Sequence, residues 1–199
     1  QAQSDLTTAY GVAAGQPVKL GNDLTGTDLG SRTLQAGAYS FSSSAQLTGQ
    51  LTLDAAGDPN AQSVFEIGST LTTASGSSIR LINGASPCNI YWQVGSSATL
   101  GTTTSFMGNV LAHDSISLDD SATVQGRLLA RDGAVTLIHN TIDASMCGTS
   151  TTPPPGSTPP GTTTPTGSTP PATGSTRPAT GPTPPATGST PPAKGSAPP

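Results

Sequence analysis

Two stretches of the chain repeat each other and decide its fold: residues 107–118, MGNVLAHDSISL, and residues 125–137, QGRLLARDGAVTL. The first six residues of the two stretches match at an offset of 18, and the closing Ile-Ser-Leu and Val-Thr-Leu match at an offset of 19. Short strands that recur at intervals of about 20 residues are typical of solenoids, in which each repeat forms one coil. The uneven period predicts an irregular solenoid with insertions at its corners.

Several short segments alternate an apolar residue with a hydroxyl residue. They are Leu71-Thr72, Ala98-Thr99-Leu100, Ile116-Ser117-Leu118 and Val135-Thr136-Leu137. In extended backbone, alternate side chains point to opposite faces, so each segment can bury its apolar residues and present Thr or Ser outward. Stacked coils would align these hydroxyls in a ladder. Thr also suits strands in general, and short strands with regular turns also fit a β-sandwich. The match in residue type as well as spacing favours the solenoid.

A short helix is predicted near the start of the chain. Apolar residues share one face at helical spacing, namely Leu6, Ala9, Tyr10 and Ala13. Gly15 and Pro17 end the helix. An outward apolar row on the strands, consisting of Met107, Leu111 and Leu129, needs a cover. We therefore predict a mainly β protein: an irregular parallel β-solenoid (β-helix) with a short N-terminal α-helix packed alongside.

Composition excludes several classes of partner. Charged residues make up 9% of the chain, against about 25% in ordinary globular proteins. Residues 1–147 hold eleven acidic and five basic residues, a net charge of −6. This balance argues against nucleic acid, whose binding needs a basic patch, and against an anionic membrane surface. No apolar run approaches the length of about 18 residues that a membrane-spanning helix requires, so no membrane insertion is expected.

The last quarter of the chain differs from the rest in composition. Sixteen of the 19 prolines lie from Pro153 onward, and residues 148–199 are almost wholly Gly, Ser, Thr, Pro and Ala. Such a segment buries too little apolar surface to offset its ordering entropy. We predict a compact domain at 1–147 and a disordered Pro/Thr-rich tail at 148–199. The tail is expected to act as a cell-wall stalk or as a linker to another domain, and it favours an extracellular, secreted or wall-associated protein.

The two cysteines, Cys88 and Cys147, lack the Cys-x-x-Cys spacing of zinc and redox sites. In a chain with an extracellular-looking tail, a disulfide is favoured over two buried thiols. Closing 58 intervening residues would stabilise the fold by about 4 kcal/mol. No metal ligand set and no cofactor motif is apparent, so neither a metal nor a cofactor is predicted.

Many separate segments, in order, resemble the microbial ice-binding proteins with a β-solenoid and an alongside helix. The matching stretches are 3–10 (QSDLTTAY), 34–44 (LQAGAYSFSSS), 51–60 (LTLDAAGDPN), 65–83 (FEIGSTLTTASGSSIRLIN), 87–100 (PCNIYWQVGSSATL), 107–112 (MGNVLA) and 126–130 (GRLLA). The resemblance implies a flat solenoid face that binds ice, and the paired cysteines of relatives resemble Cys88 and Cys147.

The chain departs from the family in two respects. Family members usually carry further β segments before the helix, so this chain is expected to be truncated and its solenoid to have an open seam. In addition, the coil at 113–120 carries His113, Asp114, Asp119 and Asp120. Charged groups beside an ice-binding face disturb ordered water, so this coil is expected to weaken activity.

The resemblance makes the hydroxyl ladder the expected ice-binding surface. Its predicted members are Thr70, Thr72, Ser97, Thr99, Ser115, Ser117 and Thr136. The expected partner is the surface of an ice crystal, bound by a monomer without catalysis. The alternative is a structural or adhesion module that binds an extracellular polymer.

A carbohydrate-active enzyme is the third possibility, because parallel β-helices also host polysaccharide-cleaving enzymes that need clustered carboxylates. Asp119 and Asp120 are adjacent, so on a strand they would point to opposite faces. His113 and His139 lie in no nucleophile pattern, and Trp92 is predicted to pack in the core. The protein is therefore predicted not to be an enzyme.

Overall fold

This computed structural model describes residues 1–147, which form one helix followed by short strands. The helix α1 spans Ala2–Ala13, a few residues longer at its start than the sequence pattern predicts. The strands are β1 (Thr33–Gln35), β2 (Gly37–Phe41), β3 (Ala45–Leu47), β4 (Gln50–Asp54), β5 (Ser63–Ile67), β6 (Leu71–Thr73), β7 (Ser78–Ile82), β8 (Ile90–Val94), β9 (Ala98–Leu100), β10 (Ser105–Ala112), β11 (Ile116–Leu118), β12 (Thr123–Ala130), β13 (Val135–Thr136) and β14 (Thr141–Asp143). The tail predicted at 148–199 lies outside the described residues.

The strands wind into a solenoid with three faces, and every strand pairing among the described residues is parallel. The helix face holds β2, β5, β8 and the second halves of β10 and β12. The ladder face holds β3, β6, β9, β11 and β13. The third face holds β1, β4, β7, the first halves of β10 and β12, and β14. Parallel stacking confirms the β-solenoid and excludes the antiparallel sandwich.

The repeats that predicted the fold pair with each other residue by residue. Strands β10 and β12 are in register from Ser105↔Thr123 to Ala112↔Ala130. Both strands bend midway from the third face to the helix face, at Gly108 (φ 113°) and Gly126 (φ 144°). The bend corrects one expectation, because Met107 precedes it and packs against the core. It does not join Leu111 and Leu129 beneath the helix.

A stack of aromatic rings fills the solenoid interior. The ring centroid of Phe65 lies 3.9 Å from that of Trp92 and 5.4 Å from that of Tyr39. The ring centroid of Phe106 lies 5.2 Å from that of Trp92. Trp92 is fully buried, as predicted, and its indole Nε1–H donates to the Met107 carbonyl at 3.0 Å. Such ring pairs add about 0.5–1.5 kcal/mol each beyond their area burial, so the core is held along the solenoid axis.

The two ends of the described solenoid differ. At one end the segment between the helix and β1 covers the first coil. Leu24 and Leu29 of this segment are buried, and the backbone of Asp28 forms a parallel β-bridge with Gln46. At the other end Val135 and Ile142 expose 38% and 40% of their surface. Their counterparts in the inner coils are almost completely buried, so the last coil is the weakest layer of the core.

The helix covers the helix face, as predicted. Tyr10 anchors it: its hydroxyl accepts from Gln93 Nε2 at 2.6 Å and donates to the Val94 carbonyl at 3.2 Å. Ala13 is buried, and Leu111 retains only 3% exposure beside the helix. The helix thereby removes Leu111 from water.

A disulfide joins Cys88 and Cys147, whose Cα atoms lie 5.1 Å apart. The bond ties the 3-10 turn Ser145–Cys147 at the end of the described chain to the 3-10 turn Pro87–Asn89. Arg127 Nη2 also donates to the Cys147 carbonyl at 2.7 Å. The predicted pairing is thus confirmed, and it fixes the last coil to an earlier one.

Candidate functional site

The central row of the ladder face contains predicted residues aligned across four strands. Thr72 pairs with Thr99, Thr99 with Ser117, and Ser117 with Thr136. Paired strands place these side chains about 4.8 Å apart. All four point outward, between inward residues such as Leu71 and Leu100, because side chains alternate along each strand.

A second row runs beside the first, two residues earlier in each coil. Its members are Thr70, Ser97 and Ser115. Backbone hydrogen bonds hold this row in register: the Leu71 N–H donates to the Ser97 carbonyl at 3.2 Å, and the Ala98 N–H donates to the Ser115 carbonyl at 2.9 Å. The structure therefore brings all seven predicted residues together on one face.

The ladder also contains residues that sequence reasoning missed. Gln46 pairs with Thr72 and extends the central row, and Asp28 bridges to Gln46 at its end. Ser44 extends the second row, since its Oγ accepts from Thr70 Oγ1 at 2.8 Å. The signal for Gln46 was present, because Ala45-Gln46-Leu47 has the same alternation with an amide in place of a hydroxyl.

Close packing at both corners keeps the ladder strands near one another. A Cβ on Gly68 would meet the Ser42 carbonyl oxygen at 2.8 Å, and one on Gly101 would meet the Thr73 carbonyl oxygen at 2.6 Å. Thr73 is itself buried, and its Oγ1 lies 3.0 Å from Thr104 Oγ1. These contacts leave little room for the strands to slide, so the rows have a fixed register.

Charged side chains border the ladder face at Asp28, which ends the central row, and in its later coils. His113 Nδ1 lies 2.8 Å from Asp114 Oδ1, and His139 Nδ1 lies 2.8 Å from Asp120 Oδ1. The hydrogen bond with His113 is the main cause that holds the pKa of Asp114 below its usual value, with a further bond from Ser96. The hydrogen bond with His139 likewise lowers the pKa of Asp120. Both carboxylates, which lie at the two corners of the face, therefore remain ionised at neutral pH.

The carboxylates do not converge on a groove. Asp119 and Asp120 are both exposed, and Asp114 and Asp132 lie on successive coils, where both contact His113. Within residues 1–147 no group of three or more His, Cys, Asp or Glu side chains could hold a metal ion. No helix in that part of the chain is both long and apolar enough to cross a membrane.

Comparison with known proteins gives a consistent result. The sequence model of the family described as "Ice-binding-like" matches residues 1–143. An ice-binding protein of Nostoc sp. (strain HG1) is 60% identical over 144 residues, which cover 71% of this chain and 52% of that protein. Ice-binding protein 1 of Shewanella frigidimarina (strain NCIMB 400) is 40% identical over 145 residues, covering 71% of this chain and 16% of that protein.

Solved structures agree with the sequence relatives. An ice-binding protein from an Antarctic biological consortium superposes with a TM-score of 0.69 at 49% identity, covering 71% of this chain and 64% of that structure. The corresponding protein of the Antarctic ascomycete Antarctomyces psychrotrophicus gives a TM-score of 0.69 at 44% identity, with 72% and 70% covered. The chain spans about half the length of its Nostoc relative. On its sequence and its solenoid alike, the chain belongs to the ice-binding-like family.

Proposed function

We propose that this chain binds ice through its ladder face, without catalysis. The observation that carries the proposal is the registration of Thr72, Thr99, Ser117 and Thr136 in one row, with a second hydroxyl row beside it. Family membership supports the same conclusion, since relatives with the same solenoid are named ice-binding proteins.

The physical mechanism follows from the side chains of the two rows. Each Thr presents a hydroxyl and a methyl group at a nearly fixed χ1, and neighbouring strands repeat that arrangement every 4.8 Å or so. The methyl groups order a cage of water and the hydroxyls hydrogen-bond to it, so the bound layer can merge with a crystal plane. Ice between adsorbed molecules must then grow with a curved surface, which slows growth.

The partner of this face is the surface of an ice crystal, and the chain acts as a monomer outside the cell, secreted or attached to the wall. The net charge of −6 over residues 1–147 supports the exclusion of nucleic acid as a partner. Adsorption through ordered water needs no cofactor and no metal. The alternative, an adhesion module that binds an extracellular polymer, uses the same scaffold but predicts no effect on ice.

The test compares Thr99→Tyr with Thr123→Tyr by ice-recrystallisation inhibition and thermal hysteresis. Thr99 is the central rung of the ladder face, whereas Thr123 is an exposed strand residue of the third face that also has a paired neighbour on each side. We expect the first variant to lose most activity and the second to keep it, with both folded by circular dichroism. A folded wild-type chain with no effect on ice would reject the proposal and favour adhesion.

A further inference from the structure

Charge is segregated along the ladder face. Strands β3, β6 and β9, with the corners on either side of them, occupy residues 42–50, 68–78 and 95–105, which contain no charged residue. The coils of β11 and β13 differ, and their corners carry His113, Asp114, Asp119, Asp120, Arg131, Asp132 and His139. The face therefore has an uncharged patch of three strands and a charged zone of two.

Two charged residues lie on the face itself. Asp28 lies at its first end, where its carboxylate accepts hydrogen bonds from the Gly30 and Thr48 N–H groups. Asp119 lies on the opposite side of the uncharged patch. It follows Ser117 by two residues and so continues on the same side of the coil. Its backbone N–H donates to the Leu100 carbonyl at 2.8 Å, which places Asp119 across from Gly101. Because Gly101 has no side chain, nothing in the neighbouring coil shields the carboxylate, and Asp119 is exposed.

The carboxylate of Asp119 also differs from its neighbours in having no partner among residues 1–147. The Asp114 carboxylate contacts His113 and Ser96, and that of Asp120 contacts His139 and Ser121. Asp119 accepts a hydrogen bond only at its backbone carbonyl, from Asn140 Nδ2. Within the part of the chain that the structure describes, only solvent therefore surrounds this negative charge.

An unpaired carboxylate opposes adsorption at that point of the face. Removing water from an ionised carboxyl without a compensating partner costs several kcal/mol. If the carboxylate instead keeps its hydration shell, those waters are oriented toward the charge and do not join an ice-like layer. Either way, the rows beside Asp119 cannot approach a crystal as closely as the uncharged rows do.

We propose that ice contact is confined to the uncharged patch, defined by Ser44, Gln46, Thr70, Thr72, Ser97 and Thr99, and that Asp119 sets its boundary. This inference rests on the proposed function and deepens it. Ser117 and Thr136 continue the ladder geometrically, but they lie beyond the boundary and contribute little to adsorption. Replacing Asp119 by a neutral hydroxyl residue extends the contact from three strands to five.

The first arm of the experiment removes the charge. Asp119→Thr is compared with wild type by thermal hysteresis at equal concentration. We expect a rise of roughly twofold, because the contact grows from three evenly spaced strands to five. Asp119→Asn serves as a second neutral variant in case the Thr side chain perturbs the coil. Asp5→Thr is the control for net charge, since it removes an exposed acid from the helix, and it should leave hysteresis unchanged.

The second arm locates the contact by blocking it. In the wild-type background, Thr72→Tyr should abolish hysteresis, whereas Thr136→Tyr should lower it by a far smaller fraction. In the Asp119→Thr background, Thr136→Tyr should remove the gained activity, because the outer strands then take part. All variants are checked for folding by circular dichroism.

The outcomes separate this inference from the proposed function. If wild type is active, two results overturn the boundary while the ladder face keeps its role. One is that hysteresis rises with neither neutral variant. The other is that Thr136→Tyr removes as much hysteresis as Thr72→Tyr. A wild type and neutral variants that are all folded and all inactive overturn the proposed function and this inference together.

Discussion

Removing the disulfide should destabilise the solenoid without altering the ladder face. The change is the double substitution Cys88→Ala with Cys147→Ala, which deletes the bond and its two sulfur atoms. The bond links residues 59 apart in the sequence and fixes the turn Ser145–Cys147 to the turn Pro87–Asn89. Without it, the last coil is held by strand pairing and by the hydrogen bond from Arg127 to the Cys147 carbonyl.

The expected loss follows from the closed loop. A loop of 59 residues removes unfolded-state entropy equivalent to about 4 kcal/mol at 25 °C in the chain-entropy treatment. A domain of this size unfolds with a urea slope of about 2 kcal/mol per molar. The midpoint of urea unfolding should therefore fall by about 2 M, with the slope nearly unchanged.

The assay is urea unfolding followed by the fluorescence of Trp92, which is the sole Trp and is fully buried. Wild type reduced by thiol should give the same midpoint as the double variant, since both lack the link. Met146→Ala, next to the bond and 68% exposed, is the control and should change the free energy of unfolding little. A loss below about 1 kcal/mol would contradict the loop-entropy reasoning. Ice activity measured well below the midpoint should be retained.

Five further substitutions have definite expectations. Trp92→Ala empties the centre of the ring stack and should lower the free energy of unfolding by about 3–5 kcal/mol. Its urea unfolding is followed by circular dichroism, because the variant lacks the sole Trp. Gly126→Ala should lower the melting temperature strongly, because its Cβ would meet the carbonyl of the adjacent coil; Gly11→Ala, where no atom lies within 4 Å, should be neutral or stabilising by about 0.5–1 kcal/mol in an exposed helix. Burial raises the pKa of Glu66 in the folded protein. Its ionisation therefore opposes folding once the pH exceeds the pKa of Glu in the unfolded chain. Glu66→Gln should accordingly raise the melting temperature at pH 7 and not at pH 3. Burial acts to raise the pKa of Asp28, but hydrogen bonds from Thr48 and Gly30 outweigh it, so the pKa is lowered. The resulting stabilisation is present above the pKa of Asp in the unfolded chain and is lost on acidification. Asp28→Asn should therefore lower the melting temperature at pH 7 but not at pH 2.

The fold was predictable because its repeats are visible in the residues themselves. Residues 107–112 and 125–130 match in type, and the structure pairs them one to one. The bend at Gly108 was not predictable from period-two alternation, since a positive φ changes which face the strand joins without changing the alternation. For this reason period-two alternation predicts Met107 under the helix, whereas in the structure it packs against the core.

The ladder was predictable only in part. Alternation of apolar and hydroxyl residues identifies which side chains point outward from each strand, and all seven predicted residues share one face. Alternation marks Gln46 as an outward residue, but it does not state which strands stack. It therefore does not show that Gln46 lies beside Thr72 or that Asp28 ends the row. Those two positions follow from register, which depends on the lengths of the corners.

Many carboxylates of this chain stabilise turns, outside the uncharged patch. Five aspartates accept a hydrogen bond from the backbone N–H two residues ahead, namely Asp23, Asp28, Asp54, Asp58 and Asp143. Such bonds stabilise turns, so these charges serve the ends of strands and loops. The solenoid can thus keep its inner ladder strands free of charge while the ring stack and the disulfide supply stability. Asp119 departs from this pattern, because its carboxylate accepts no hydrogen bond from residues 1–147 and only its backbone carbonyl does. Replacing it should therefore change ice binding while leaving the fold intact.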